Sequence, residues 1–290
     1  MEKTVICEGI SKHYREFTLD HVNLEVPAGR ILGIIGPNGA GKTTTLKMLM
    51  NIVKPDEGII EILGMHYPQD ERAIKNAIGY VGEEQYFYED RTVAWTGRFV
   101  SHFFGQWDEN EFDRLLMRFG ISRTKRVKTL SKGMRVKLAL AIALSHHPRL
   151  IILDEPTSGL DPVVRRELLV LLKERSLENE DLSIIISSHI TEDLERIADL
   201  VHYMVNGRIV LADDKDTLLD EWKKLHFKAE KADESMLAGL RNIERNMFGI
   251  SGVTSQFNAF RAAHQEAIRA GDVRVENIRL DDILLSLLER

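Results

Sequence analysis

Gly36-Pro37-Asn38-Gly39-Ala40-Gly41-Lys42-Thr43 satisfies the pattern G-x-x-x-x-G-K-[ST] at every fixed position. Glycines at that spacing let backbone N–H groups wrap a phosphate, a lysine reaches the outer oxygens, and a threonine hydroxyl can hold Mg²⁺. Asp154 and Glu155 end a second informative stretch, the apolar run Leu150 to Leu153. A carboxylate at the C-terminal end of a parallel strand, beside such a loop, is where Mg²⁺ can be held through water. The adjacent Glu155 points to the other side and can take a proton from an attacking water. His189 follows Ile184-Ile185-Ile186-Ser187-Ser188, again a buried strand opening towards a helix. A neutral imidazole there can hydrogen-bond a terminal phosphate and the attacking water.

A shorter signature, Leu130-Ser131-Lys132-Gly133-Met134, lies about twenty residues before Asp154. A serine hydroxyl, a glycine N–H and a helix N-terminus make a second anion site, although Ser131 also reads as a plain helix cap. Two phosphate sites in one chain are redundant. They make sense if Ser131 of one subunit covers a nucleotide bound at Lys42 of another.

These groups need elements to hold them. Ile31 to Ile35 is an apolar run feeding the glycine-rich turn, and Lys42 to Met50 then reads as a helix. Ile59 to Ile62 and Ile78 to Val81 are strand-like, and Leu150 to Leu153 and Ser183 to Ser187 have the β-branched, unbroken apolar character of buried parallel strands. Helical patterns at 162–176 and 191–198 lie between and after them. The alternation predicts an α/β core with a mostly parallel sheet. Residues 1–26 read as an added antiparallel β portion, with Phe17-Thr18-Leu19 and Val22 to Val26 around a turn. Between about 84 and 145 the strands stop; Thr92 to Phe104, Glu109 to Phe119 and a third helix after Ser131 form an inserted helical subdomain. Thr217 to Leu225 looks helical, 226–280 is mixed, and Ile283 to Leu288 is an apolar helix. The expected organisation is therefore a domain at 1–215 followed by a C-terminal extension at 216–290.

Bulk properties narrow the class. The chain has 290 residues, 43% hydrophobic and 29% charged, with a net charge of −6. No strongly basic block appears, so nucleic acid is not an expected partner. Cys7 is the only cysteine, which excludes an internal disulfide and fits a reducing cytosol. No signal pattern opens the sequence, and its longest clean apolar run, Leu138 to Leu144, is far short of the roughly 18–20 residues that span a bilayer. If the chain serves a membrane, another polypeptide supplies the pore.

Taken in order across roughly residues 5–210, these motifs resemble the ATP-binding subunit of an ABC transporter. The resemblance makes 36–43 the Walker A loop, 130–134 the signature, 150–155 Walker B, Ser158-Gly159-Leu160-Asp161 the D-loop and His189 the switch histidine. It implies a P-loop NTPase of ABC type that uses ATP and Mg²⁺. Two subunits would close head-to-tail over two nucleotides, with a separate membrane permease as the further partner. The expected place is the cytoplasmic face of the cell membrane, peripheral, through that permease. The implied ATP contacts are Tyr14 (on adenine), Gly36, Pro37, Asn38, Gly39, Ala40, Gly41, Lys42, Thr43, Thr44 and Glu83. Ser131, Lys132 and Gly133 would contact the partner's nucleotide, with Asp161 in the D-loop. Thr43, Asp154 and Glu83 would face the metal, and Glu155 and His189 would be catalytic.

Two departures narrow the resemblance. The family signature is usually L-S-G-G-Q, whereas Lys132 and Met134 stand here for one Gly and the Gln. The usual Q-loop glutamine follows a strand of the type I-G-Y-x-P; Ile78-Gly79-Tyr80-Val81-Gly82 is followed instead by Glu83, with Gln85 two residues late. Both departures, with Tyr86 to Asp90 and the Leu-Asp-Asp-Ile at 280–283, are similar to ABC-2 type ATPases. These serve mostly bacterial exporters, and the chain looks like their single-domain ATPases with separate permeases, such as the bacitracin-export and acetoin-operon types. The rival readings are a soluble ABC-type ATPase acting on DNA or ribosomes and a regulatory cassette of low turnover.

Overall fold

The computed structural model describes residues 2–247 and 249–289 of the chain. Its centre is a six-stranded sheet in the order Arg208–Asp214, Leu200–Val205, Ile31–Ile35, Ser183–Ser188, Leu150–Asp154, Ile78–Val81. The last five run parallel, and Arg208–Asp214 adds an antiparallel edge. The unbroken apolar runs follow from this placement, because both faces of the central strands are covered. Ile31 and Ile35 enter one core with the helices. Leu32 and Ile34 face the other core, shared with a second sheet.

That second sheet is the antiparallel portion, ordered Thr18–Pro27, Lys3–His13, Glu57–Ile62, Met65–His66. The expected turn between Leu19 and Val22 is not there. Residues 18–27 are one strand, bulged at His21, whose φ is 47° and whose N–H donates to Ser11 Oγ at 3.0 Å. A bulge absorbs the polar Asp20-His21 pair without ending the ladder. The chain reverses instead between His13 and Thr18. The helix Lys42–Leu49 is held between the two sheets by Leu46, Met48 and Leu49.

The helical insert comprises Val93–Ser101, Glu109–Arg118 and Lys132–Leu144. Each begins on a side-chain cap, Thr92, Asp108 and Ser131 respectively, as their residue types favour. The third helix is attached to the core at its far end. Buried His146 bonds the Ile78 carbonyl at 3.1 Å and stacks on Phe104, and burial lowers its pKa.

The mixed segment near the C-terminus has a definite topology. Strands Lys223–Phe227, Arg241–Asn246, Gly249–Thr254 and Val273–Asn277 pair antiparallel in the order second, third, first, fourth, with helices in the two crossovers. This is the split β-α-β of ferredoxin-like modules. The expected helix to Leu225 ends at Glu221, and Lys223 to Leu225 belong to the first of these strands. Alternation decides it: Leu225 and Phe227 are buried, while Lys224 and His226 pair with Glu244 and Glu276 on the other face. The final helix, Leu280–Leu288, returns to the main core. No helix among the described residues is long and apolar enough to cross a membrane.

Candidate functional site

The glycine-rich turn leaves the strand Ile31–Ile35 and enters the helix Lys42–Leu49 through Gly41, whose φ of 111° a side chain would strain. That helix has no side-chain cap at its start. Its first N–H groups and its positive end are therefore available to an anion. Lys42 is almost fully buried; its ammonium donates to the Gly36 carbonyl at 2.7 Å and lies 3.2 Å from Glu155 Oε1.

Carboxylates arrive from the neighbouring strand ends. Asp154 is buried and accepts from Ser187 Oγ at 2.7 Å and Thr43 Oγ1 at 3.1 Å. Glu155 has a left-handed backbone, φ 49°, fixed by its N–H donating to Ser187 Oγ at 3.1 Å and to the Ser187 carbonyl at 3.2 Å. Such strain in a non-glycine residue persists only where surrounding bonds enforce it. The twist turns the Glu155 carboxylate away from Asp154 and towards the cleft. There Oε2 accepts from the His189 N–H at 3.2 Å and meets its Nδ1 at 2.6 Å, so one buried carboxylate bridges a lysine and a histidine. Tyr80 beside them is held protonated, its pKa pushed up to about 12 by burial and then by the Asp154 charge.

These groups open into a cleft of about 810 Å³ lined by Asn38 to Thr44, Glu83, Glu155, Ser158 and His189, with Glu16 and Phe17 at one side. Glu83 is the residue of its loop that reaches the cleft, while Gln85 folds back to donate to the Gly82 carbonyl at 2.7 Å. The donor set suits Mg²⁺: a hydroxyl and a buried carboxylate 3.1 Å apart, with Glu83 across the cleft. Mg²⁺ accepts few protein oxygens and completes its shell with water and substrate phosphates.

Tyr14 does not line the cleft; it stacks on Phe17, ring centres 6.4 Å apart, and Phe17 is the aromatic that borders the space. Ser158, read from the sequence only as the first residue of the D-loop, lines the cleft. Phe17 and Ser187 were not singled out from the sequence. Phe17 could have been, as the second aromatic of the reversal that holds Tyr14, whereas Ser187 gives no signal of its own in a serine-containing strand end.

Ser131, Lys132 and Gly133 are outside the cleft, as is Asp161. Ser131 caps its helix by accepting from the Met134 N–H at 3.3 Å, and Asp161 caps Pro162–Glu178 through the N–H groups of Val163 and Val164. The two segments touch each other: a methyl placed on Gly159 would lie 2.9 Å from the Lys132 ammonium, and one on Gly133 would lie 3.1 Å from Val164. Ser131 and Lys132 are exposed, and Lys132 has no ion pair among the described residues.

Residues 19–158 match the family model described as ABC transporter. The bacitracin transport ATP-binding protein BcrA of Enterococcus faecalis is 34% identical over 213 residues, covering 72% of this chain and 69% of the relative. The lantibiotic transport ATP-binding protein SrtF of Streptococcus pyogenes is 34% identical over 212 residues, covering 72% of this chain and 90% of the relative. A solved ATP-binding subunit of an ABC transporter superposes with a TM-score of 0.68 at 28% identity, over 75% of this chain and 92% of the other.

Proposed function

This chain belongs to the family of ABC transporter ATP-binding subunits, ATPases that drive a membrane permease, and we propose that it powers an exporter as one half of a cassette dimer. The exporter reading rests on relatives named for bacitracin and lantibiotic transport. The observation that carries the catalytic reading is the bridge of buried Glu155 between Lys42 and His189, at the mouth of an uncapped helix N-terminus.

In this reading the β- and γ-phosphates lie against the N–H groups of residues 39–44, and the Lys42 ammonium exchanges Glu155 for phosphate oxygens. Glu155, freed on that side and still bonded to His189, accepts the proton of the attacking water as the bond to the γ-phosphorus forms. ADP departs with the bridging oxygen and its electron pair. His189 positions Glu155 and lies within reach of the γ-phosphate end. Thr43 and Asp154, with Glu83, would hold Mg²⁺, which would supply neutralisation of phosphate charge. Phe17, backed by Tyr14, offers the ring face on which adenine stacks.

Ser131, Lys132 and Gly133 lie outside their own cleft and are free to cover the nucleotide of a second subunit, brought in head-to-tail. The aromatic ladder of Tyr88, Trp95, Phe99 and Phe103, with Tyr86 nearly fully exposed, suits contact with the permease. That contact would place the chain at the cytoplasmic face of the membrane. Domain 1–215 then carries the chemistry.

Glu155→Gln tests the assignment. It should keep ATP affinity within about threefold and cut turnover by about 10²-fold or more. Turnover at the wild-type rate would remove Glu155 from the role of base.

A further inference from the structure

Directly after His189 the chain forms a helix of seven residues, Thr191–Ile197, with no side-chain cap. A helix that short has no stability of its own, so its place is set by what packs on it. Three parts of the molecule do so. Leu194 lies against the strand that feeds the phosphate loop, so closely that a methyl on Gly33 would sit 3.0 Å from Leu194 Cδ1. Fully buried Asp193 accepts from Arg165 Nε at 2.5 Å, which ties the helix to Pro162–Glu178 beyond the D-loop.

The third contact comes from the end of the chain. Leu280 and Ile283 of the final helix are fully buried in the same core as Leu194 and Ile197. Leu280 is fixed at both backbone atoms: its N–H donates to Glu195 Oε1 at 2.8 Å, and its carbonyl accepts from the Tyr203 hydroxyl at 3.0 Å. Glu195 is itself held, its carbonyl accepting from Lys215 Nζ at 3.0 Å at the start of the segment leading to the C-terminal module. Tyr203 is in the strand beside Ile31–Ile35, paired with Ile35. The return of the ferredoxin-like module is therefore bonded to the helix that begins two residues after His189.

We propose that the final helix is a clamp that sets the position of His189, with Glu195 and Tyr203 as positioning residues for turnover. The module at 223–277 supplies the clamp's anchor, and whatever shifts that module shifts His189 relative to Glu155. This rests on the reading of His189 as the partner of Glu155 in hydrolysis. Neither Glu195 nor Tyr203 lines the nucleotide cleft, so their effect passes through the helix and not through substrate.

The test uses the full chain and the variants Glu195→Ala, Glu195→Gln, Tyr203→Phe and His189→Ala. Each is measured for kcat and KM, with amide hydrogen exchange followed over residues 189–197 and, as an internal control, over residues 42–49. Loss of the Glu195 acceptor should lower kcat about fivefold with KM within about twofold, and speed exchange at 190–197 about tenfold while leaving 42–49 unchanged. Glu195→Gln, which keeps an acceptor oxygen, should recover kcat to within about twofold. Tyr203→Phe should act like Glu195→Ala, more weakly. Wild-type kcat in Glu195→Ala, or faster exchange spread evenly over both segments, overturns the clamp. Turnover that survives His189→Ala overturns instead the reading on which the clamp depends, whatever the Glu195 result. Loss in His189→Ala with no effect in Glu195→Ala overturns the clamp alone.

Discussion

The phosphate cleft and the signature segment each present the start of a helix, one entered through Gly41 and the other capped by Ser131, but they stand in opposite electrostatic states. In the cleft, Lys42, Asp154 and Glu155 are nearly inaccessible and each has a partner within the chain. At the signature, Ser131 and Lys132 are exposed, and Lys132 has no ion pair among the described residues. Buried charges must be paired or they are too costly to keep, whereas an exposed cation can wait for a ligand. One region has its charges matched within the chain, and the other leaves a cation exposed.

Four measurements break or sharpen that contrast. The largest effect belongs to Lys42→Ala. It removes the cation of the cleft and should cut turnover about 10³-fold, with ATP binding weakened; ATPase and nucleotide titration read both. A mild effect would mean that the Glu155 bridge is not the working arrangement.

Acid should also act on the cleft side. His202 is paired in register with Ile34 of the phosphate-loop strand, and burial lowers its pKa from the usual 6.5 to about 4. The unfolded chain therefore takes up a proton at this site below pH 6.5 that the folded chain refuses until about pH 4. Stability falls as pH drops through that window, by about 3 kcal/mol at full effect. Denaturant unfolding between pH 7 and 4, compared with His202→Phe, checks it; the variant should lose most of this slope.

Ser131→Arg probes the other pole. It should cost about 1 kcal/mol of stability through the lost helix cap and leave ATP binding within about threefold, yet reduce turnover about 10²-fold. Unchanged turnover would sink the shared-site reading. The smallest effect is expected from Lys132→Gly, which restores the common family residue. Turnover should change by no more than about threefold, with KM less sensitive to salt than in the wild type.

The contrast also explains what could be read from the sequence. The cleft is made of short, contiguous motifs on buried strands, and an unbroken apolar run such as Ile31 to Ile35 announces a strand covered on both faces. Counting from Ile78 points to Glu83, and Glu83 is the residue of its loop that lines the cleft. The bridge itself was not legible, because it needs the left-handed twist at Glu155 that only the Ser187 contacts reveal. The C-terminal module was unreadable for another reason. Its strands are five or six residues long, one face carries ion pairs in place of apolar side chains, and Lys223 pairs with Thr254 and Asn277 across long loops. Period-two alternation at 223–227 and 273–277 was the available signal, and a helical pattern running in from Thr217 masked it.

The order in which the chain is made gives the returning helix a further consequence. A ribosome delivers residues 31–205 first, and the sheet can form while the remainder is still being synthesised. The surface formed by Leu194 and Ile197 of the short helix and Tyr203 of the sheet nevertheless stays uncovered until Leu280 and Ile283 emerge. A nascent or truncated chain therefore carries a greasy patch next to a finished phosphate loop. Premature stops between 215 and 280 should yield protein that binds nucleotide but aggregates, and quality control, more than lost chemistry, would remove it from the cell.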